Sequence, residues 1–273
     1  MTSTAVMPAD EAIMHALEVL FLHGKPVDAG HWQGVPTQGK PDLQTRELLN
    51  LQFSCGIPAT PQQTIEACMP NMPWAEEEFN ERVGRTPRNP HYSLQLWPWW
   101  HGQDVHTMEE GQFTHTYSER FWPKRAGEFA GDKSCNPAYG VRYEYGDLDD
   151  VLALLQKHPH TRQATLPIFF PEDTGAVHGG RIPCTLHYHF MLRDDSLHMW
   201  YPIRSCDAIR HFRDDVYMAM RLCQWVIEQL RVRDNDYDAQ ELWEGVAPGV
   251  LSFTAYSFHA HMGDWHLLEE GLA

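Results

Sequence analysis

The stretch between residues 184 and 230 constrains the fold more than any other part of the chain. In TLHYHFML (185–192), polar and apolar side chains alternate with the two-residue period of a half-buried strand. LHMWYPIR (197–204) alternates again after the turn residues Asp194 to Ser196, which predicts a β-hairpin. From Asp215 to Leu230, apolar residues recur with a helical period. We therefore expect a hairpin followed directly by a long amphipathic helix.

Weaker patterns predict the other regular elements. Helices are expected over residues 10–22, 73–83 and 147–158, and a strand over residues 46–54. Asp147 is the expected N-cap of the third helix, because its carboxylate can accept hydrogen bonds from free backbone amides. Residues 85–140 are rich in Pro, Trp and Gly and predict loops with short helices, whose tryptophans suit either a core or a binding surface. The 273 residues contain no evident repeat or linker, so one domain spanning 1–273 is expected.

The composition narrows the classes of function. A net charge of -16 disfavours a nucleic-acid surface, because phosphate backbones are bound mainly through Lys and Arg. No apolar run approaches the roughly 20 residues that a membrane helix needs, so we expect neither nucleic acid nor a membrane as a partner. The 6 cysteines form no CxxC pair and follow no secretory leader, which favours the reducing cytoplasm and no disulfide framework. A small anion held by a few arginines remains compatible with this charge.

Three chemically distinctive segments are expected to meet at one end of the hairpin. Cys184 opens the first strand, RSCD (204–207) closes the second, and Asp215 starts the helix that follows. An arginine near a thiol favours the thiolate form, so Arg204 would activate Cys184. On these residues alone, Cys184 can be a nucleophile, a metal ligand beside the histidines of the strand, or a small buried hydrophobe.

The order of these segments resembles the thymidylate synthase family of enzymes that methylate or hydroxymethylate pyrimidine nucleotides. The resemblance covers most of the chain and is strongest from residue 137 to residue 265. The matching segments are PC (183–184), RSCD (204–207), Asp215, HM (261–262), PAYGVRY (137–143), HTRQ (160–163) and TREL (45–48). The resemblance implies a single-domain α/β (α+β) fold, in which helices flank a large mixed β-sheet, and a homodimer that associates through the sheet.

The resemblance also implies covalent chemistry at Cys184. Its thiolate would add to carbon 6 of the pyrimidine ring, which makes carbon 5 a nucleophile toward the cosubstrate 5,10-methylenetetrahydrofolate. Arg204 and Ser205 match the pair that holds the nucleotide phosphate, a task that suits a bidentate guanidinium. Arg162 matches an arginine that the partner subunit donates to the same phosphate, although Gln163 replaces the second arginine there.

Four further positions complete the site that the resemblance implies. Asp207 matches a residue near the base and the folate, and Tyr139 matches a tyrosine that assists removal of the carbon-5 proton. Counting back from Gly84 places Glu77 at the catalytic glutamate of the family. Lys133 is expected to contact the nucleotide. The other candidates for the catalytic glutamate are Glu76, Glu78 and Glu81.

Asp215 occupies the position where uracil-specific members carry asparagine. A side-chain amide can donate to oxygen 4 of uracil and accept from its N3 hydrogen, whereas an ionised carboxylate only accepts. Cytosine offers a 4-amino donor, so a carboxylate favours cytosine and penalises uracil, a mismatch worth factors of roughly 10⁴. The deoxycytidylate hydroxymethylases of the family carry the same exchange. The alternative role of Asp215 is a plain helix N-cap.

Two features near the end of the sequence bear on the product and the sugar. Only 12 residues follow His261, fewer than in the tail that methylating members fold over the site. A wetter site is expected to give a hydroxymethyl rather than a methyl product, and the alternative is a shortened sequence. With HM (261–262) as register, Tyr256 and Phe258 replace the histidine and tyrosine that read the 3′-hydroxyl. Phe258 lacks a hydroxyl, which leaves room for a 2′-hydroxyl and favours CMP over dCMP.

Other classes of function remain open on the sequence. A cysteine hydrolase would combine Cys184 with His261. A non-catalytic relative would bind CMP without altering it, and within the family the rivals are a dCMP hydroxymethylase and a dUMP or UMP methylase. A metal hydrolase would use imidazoles of the hairpin, those of His187, His189 and His198. We expect no metal at the favoured site.

Overall fold

The alternating segments pair into one mixed sheet. The computed structural model describes residues 5–32, 35–100, 112–129, 146–174, 182–233 and 237–272. In this described part, the strands of the main sheet are β1 (Val6–Met7), β2 (Lys25–Val27), β5 (Thr45–Gly56), β6 (Ala164–Pro167), β7 (His187–Arg193), β8 (Ser196–Asp207) and β9 (Ala247–His261). Their order is β1-β5-β9-β8-β7-β6, with β2 paired to β5. β3 (His31–Trp32) and β4 (Val35–Pro36) form a separate antiparallel pair.

Helices pack against this sheet and enclose the core. They are α1 (Ala9–His23), α2 (Pro61–Cys68), α3 (Trp74–Val83), α4 (Tyr117–Phe121), α5 (Pro123–Phe129), α6 (Leu148–Lys157), α7 (Phe212–Val232), α8 (Tyr237–Gly245) and α9 (Trp265–Leu272). The longest of them, α7, is buried along most of its length. Its first residue, Phe212, makes edge-on or tilted ring contacts with Phe53, Phe253 and Phe258. The core therefore lies between α7 and the three longest strands.

The predicted hairpin is confirmed. β7 and β8 pair antiparallel, and the alternate residues Tyr188, Phe190 and Leu192 are buried. Asp194 and Asp195 connect the strands with φ angles of 48° and 56°. Two successive positive φ angles are what a two-residue type I′ turn requires, and aspartate tolerates them better than most residues.

Most of the other predicted elements are confirmed within a few residues. α1, α3 and α6 occupy the three predicted helical segments, and β5 contains the predicted strand. Asp147 caps α6 as expected, because its side chain accepts the backbone N–H of Asp150 at 3.3 Å. By contrast, α7 begins at Phe212, so Asp215 lies inside its first turn and is buried. The interpretation of Asp215 as a helix N-cap is therefore wrong.

The burial pattern of the central strands changes phase at one level of the sheet. In β8, Ile203 and Cys206 are both buried, so two half-buried residues, 204–205, separate the inward-facing positions. The neighbouring strand β9 has the same interruption between Ala255 and Phe258, and Ala255 pairs with Ile203. This shift places two successive residues of β8 at the cavity that lies at this end of the sheet.

The strands also carry large apolar side chains that this chain leaves exposed. Tyr256 is 50% exposed, Leu49 is 76% exposed and Trp200 is 36% exposed. Trp200 alternates with buried Met199 and Tyr201, so it lies on the sheet face opposite α7. In the part of the chain that the structure describes, no helix has the length and apolar character needed to cross a membrane.

Candidate active site

A cavity of about 390 Å³ opens between the end of the sheet, α3 and the start of α7. Trp74 and the segment 97–100 contribute aromatic walls, and His259 borders it from β9. The residues predicted for the site that line this cavity are Cys184, Arg204, Ser205, Asp207 and Asp215. The structure thus brings the opening of the first hairpin strand, the end of the second strand and the start of α7 to one place.

Cys184 lies just before β7 and is half-buried against the core. Its carbonyl accepts the backbone N–H of Arg204 at 2.8 Å. The side chain of Arg204 donates from Nε to the carbonyl of Pro183 at 2.9 Å and from Nη2 to the carbonyl of Ile182 at 3.0 Å. The guanidinium is therefore held against the backbone segment that leads into Cys184.

Asp215 is 9% exposed and borders the cavity from the first turn of α7. Burial raises the pKa of its carboxyl to about 7, against the lowering effect of the Arg82 charge. The carboxylates of Asp214, Asp207 and Glu78 add to the increase in this pKa. The Cys206 thiol lies 3.9 Å from Oδ2 of Asp215, at the limit of a weak S–H hydrogen bond. Asp215 is consequently poised between a carboxylate and a neutral acid near neutral pH.

Glu78, and not Glu77, points into the cavity from α3. Nε of Arg82 donates to Oε1 of Glu78 at 2.8 Å, and Nδ1 of His91 lies 3.1 Å from Oε2. Burial alone would raise the pKa of Glu78, but the charges of His91 and Arg82 outweigh it, and the net shift is downward. Glu77 lines a separate depression on the other side of α3. The placement of Glu77 is therefore corrected, because one position along a helix rotates a side chain by about 100°.

The other neighbouring glutamates also lie outside the cavity lining. Glu76 pairs with Arg221 at 3.1 Å and accepts the hydroxyl of Tyr217. Glu81 accepts the backbone N–H groups of Tyr92 and Ser93. Both carboxylates therefore have structural partners, which leaves Glu78 as the member of this group that faces the cavity.

The predicted sugar-reading residues do not line the cavity. Phe258 is fully buried and packs edge-on against Phe212 with ring centroids 4.8 Å apart, whereas Tyr256 is half exposed on the sheet. His259 borders the cavity instead, and Nε2 of the buried His261 lies 3.9 Å from Oδ2 of Asp207. The register that the resemblance implies for Tyr256 and Phe258 therefore does not bring either side chain to the cavity of this chain.

Aromatic side chains form a wall of the cavity. Trp97 is 7% exposed and stacks on His211 at 5.0 Å, with an angle of 17° between the rings. The guanidinium of Arg210 lies 5.1 Å above the ring of Trp99 and donates to Asp264 at 2.6 Å. Trp97 therefore belongs to the core and to the cavity at once, and flat walls of this kind suit a planar ring ligand.

Two groups of side chains have metal-ligand spacing. The ligand atoms of Asp207, His259 and His261 lie within 4.8 Å of one another, as do those of Glu78, Glu81 and His91. The second group already has a cationic partner in Arg82. The hairpin histidines expected of a metal hydrolase form no such group among the described residues. His189 contacts Thr165 at 2.6 Å, and His198 contacts the backbone N–H of Val250 at 3.2 Å.

Two predicted site residues, Tyr139 and Lys133, fall outside the described residues. Arg162 is exposed just before β6 and does not border the cavity of its own chain.

Several cavity residues carried no signal that we recognised in the sequence. They include Arg82, which lies four residues after Glu78 on α3, a spacing that puts both on one helix face. Tyr117 is another, and its hydroxyl lies 3.3 Å from Oγ1 of Thr185. Burial and the charge of Cys184 raise the pKa of Tyr117. Three histidines also line the cavity, namely His91, His211 and His259. The chain has 17 histidines, and no sequence pattern distinguishes these three from the others.

No family model matches the chain, but several proteins are similar to it in sequence. A putative thymidylate synthase of Methanosarcina mazei is 25% identical over 126 residues, which cover 46% of this chain and 51% of that protein. A putative thymidylate synthase of Methanococcoides burtonii is 24% identical over 166 residues, covering 59% of this chain and 69% of that protein. The chain therefore spans about half the length of the M. mazei relative that it matches.

A solved structure extends the likeness to nearly the whole chain. Thermostable thymidylate synthase A from Bacillus subtilis superposes with a TM-score of 0.64 at 14% identity, over 97% of this chain and 84% of that chain. The predicted fold, a large mixed sheet flanked by helices, is confirmed as thymidylate synthase-like.

Proposed function

We propose that this chain is a folate-dependent hydroxymethyltransferase that converts CMP to its 5-hydroxymethyl derivative. The observation that carries the proposal is that Cys184 and Asp215 border one cavity together with Arg204 and Ser205. The fold and the sequence similarity to putative thymidylate synthases support the reaction class. With Asp215 at the base-reading position and Phe258 in place of a sugar-reading tyrosine, the sequence resembles the cytidylate hydroxymethylase of the mildiomycin nucleoside-antibiotic pathway. A role in antibiotic biosynthesis is therefore part of the proposal.

Cys184 is the proposed nucleophile. Its thiolate sulfur bonds to carbon 6 of the base, and the electron pair displaced onto carbon 5 forms the bond to the one-carbon unit. Methylenetetrahydrofolate supplies this unit as cosubstrate, and tetrahydrofolate leaves. Water supplies the hydroxyl group, carbon 5 loses its proton, and departure of the thiolate restores the ring. Folate is not oxidised in this sequence, because no hydride is transferred.

Glu78 replaces Glu77 as the proposed catalytic carboxylate. It borders the cavity, whereas Glu77 does not, and the lowered pKa keeps it ionised. An ionised carboxylate can accept a proton or orient a water molecule. Tyr139 remains the proposed group that assists removal of the carbon-5 proton.

Asp215 is proposed to read the base, in the manner expected from its side-chain chemistry. Its carboxylate accepts the 4-amino hydrogen of cytosine, and uracil would place oxygen 4 against the same acceptor. Because Asp215 is buried, an unmatched acceptor there is costly, which strengthens discrimination between the two bases.

Arg204 and Ser205 are proposed to bind the phosphate, with Lys133 as a further nucleotide contact. Arg204 donates from Nε and Nη2 to backbone carbonyls, and a guanidinium has five N–H groups, so donors remain for a ligand. We now assign the sugar to His259, with Asp207 and His261 behind it. Neither ring nitrogen of His261 has a hydrogen-bond partner among the described residues. This group offers partners for two hydroxyls, which supports CMP over dCMP, and dCMP is the second candidate substrate.

The folate is proposed to lie against the aromatic wall, near Asp207. Trp97 and Trp99 present flat surfaces to the cavity, and Arg210 contributes a positive charge beside them. Flat apolar walls and a cation suit a pterin ring and the acidic tail of a folate.

A homodimer in the reducing cytoplasm completes the proposal. The exposed Trp200 and Tyr256 lie on the sheet, where a second copy would cover them, as large exposed apolar side chains favour. Arg162 is exposed and away from its own cavity, so it is available to a partner's site. The five cysteines in the described part of the chain form no disulfide with one another.

The experiment that tests the function supplies four nucleotides to one enzyme. Purified protein is incubated with tetrahydrofolate and formaldehyde, and with CMP, dCMP, UMP or dUMP, and the products are resolved by mass. We expect CMP to gain one CH₂O unit, and Cys184→Ala to abolish this gain. Cys55→Ala is the matched control, because Cys55 is a buried cysteine outside the cavity lining. Gain of one CH₂ unit on dUMP, or CMP binding without turnover, would contradict the proposal.

A further inference from the structure

The guanidinium of Arg82 is a buried cation at the same cavity as Asp215. Arg82 is 5% exposed and donates from Nε to Glu78 at 2.8 Å. Its guanidinium carbon lies 4.0 Å above the ring of Tyr117, which also borders the cavity. A buried arginine is costly unless its charge is compensated, and here Glu78 and the ring of Tyr117 supply that compensation at the cavity itself.

The groups around Arg82 are mostly acidic. Glu78 and Asp215 border the cavity with it, and Asp214 and Asp207 also act on Asp215. The charge of Arg82 lowers the pKa of both Asp214 and Asp215, whereas the neighbouring carboxylates raise the pKa of Asp215. Other titratable groups that act on this cluster are His91, Tyr117, Tyr188, Tyr201, Cys184, Cys206 and Arg213, and the cavity is also lined by Arg204, Arg210, His211 and His259. Among the charged groups, Arg82 has the largest effect on the pKa of Asp215.

We propose that Arg82 tunes the base preference of the enzyme by placing a buried positive charge at the cavity where Asp215 reads the pyrimidine. This inference rests on the proposed function, in which Asp215 reads the pyrimidine. Arg82 is a positioning residue in this scheme, because it acts on the base through Asp215.

The chemistry of a carboxyl group explains the effect. The carboxylate form only accepts hydrogen bonds and matches the 4-amino group of cytosine. The neutral acid has one O–H donor and one C=O acceptor, which match oxygen 4 and the N3 hydrogen of uracil. Protonation of Asp215 would therefore turn a cytosine-reading group into a uracil-reading group. Loss of the Arg82 charge favours that protonation at any given pH.

The test measures the ratio of CMP to UMP affinity as a function of pH for the wild type and Arg82→Met. Direct nucleotide binding is measured from about pH 6 to about pH 9, and we expect the preference for CMP to rise as Asp215 ionises. In Arg82→Met the midpoint of this rise should move up by about one pH unit, which lowers the CMP preference near neutral pH by about tenfold. Arg82→Lys keeps the charge and should retain most of the preference.

Glu78→Gln provides a test of opposite sign. It removes a negative charge that opposes ionisation of Asp215, so the midpoint should move to lower pH. This variant also keeps the inference falsifiable if Arg82→Met fails to fold. An unshifted midpoint in Arg82→Met, or in Glu78→Gln, would overturn the role of Arg82.

Arg120→Met is the matched control. Arg120 is 2% exposed, pairs with Asp173 at 2.8 Å and lies 4.5 Å above the ring of Phe170, but it does not border the cavity. Its removal costs a similar buried ion pair and should leave the midpoint unchanged. A wild type that binds neither nucleotide would overturn the proposed function together with this inference. A wild type that binds CMP with a pH-dependent preference, beside an unshifted Arg82→Met, overturns the inference alone.

Discussion

At the scale of single residues, Asp215 links the stability of the protein to its proposed specificity. Burial raises its pKa to about 7, so the folded state keeps a proton that the unfolded chain releases from about pH 4 upward. The free energy of unfolding therefore falls as the pH rises through this window. An ionised Asp215, buried at the cavity to recognise the base, therefore lowers the stability of the folded protein, as functional groups commonly do.

Asp215→Asn should remove this loss of stability. We expect a gain in unfolding free energy on the order of 1–3 kcal/mol at about pH 8, and little change at about pH 4, from urea unfolding at both pH values. Asp195→Asn, in the exposed turn of the hairpin, should leave the pH dependence unchanged. If Asp215→Asn follows the wild type at both pH values, Asp215 does not carry this linkage.

Part of the site could be predicted from single residues, because hairpin geometry brings the two strand ends together. Cys184 and RSCD (204–207) meet for that reason, and Asp215 follows one turn into the next helix. The role of Glu77 could not be placed correctly, since four glutamates within six residues of one helix differ only by rotation. Arg82 depended on tertiary packing against Tyr117, which no local pattern records.

At the scale of elements, periodicity predicted the strands that alternate without interruption. β7 and β8 keep their alternation to Ile203 and join through a two-residue turn, so both were predicted. β9 is 15 residues long and was not predicted, because its alternation breaks between Ala255 and Phe258. A search for strict two-residue alternation therefore misses a strand whose alternation is interrupted next to a cavity.

At the scale of the whole molecule, the proposed site depends on two chains. Arg162 is exposed in one chain and is proposed to reach the phosphate in its partner. A mixture of Arg162→Ala and Cys184→Ala should then be more active than either variant alone, because each heterodimer assembles one intact site. Activity is measured as hydroxymethyl-CMP formed after the two variants are unfolded and refolded together.

A second mixture controls for this complementation. Arg204 and Cys184 belong to the same cavity of one chain, so Arg204→Ala mixed with Cys184→Ala leaves no intact site. This mixture should show no gain. Equal behaviour of the two mixtures would contradict donation of Arg162 across the interface.

The proposed function depends above all on covalent attack of Cys184 on a cytosine ring. Release of tritium from CMP labelled at carbon 5 tests this attack most directly. Addition of the thiolate to carbon 6 makes the carbon-5 hydrogen labile, and its replacement by the one-carbon unit transfers the label to water. We predict that the wild type releases tritium in the presence of methylenetetrahydrofolate and that Cys184→Ala binds CMP but releases none. Retention of the label by a wild-type enzyme that binds CMP, or undiminished release by Cys184→Ala, would contradict the account.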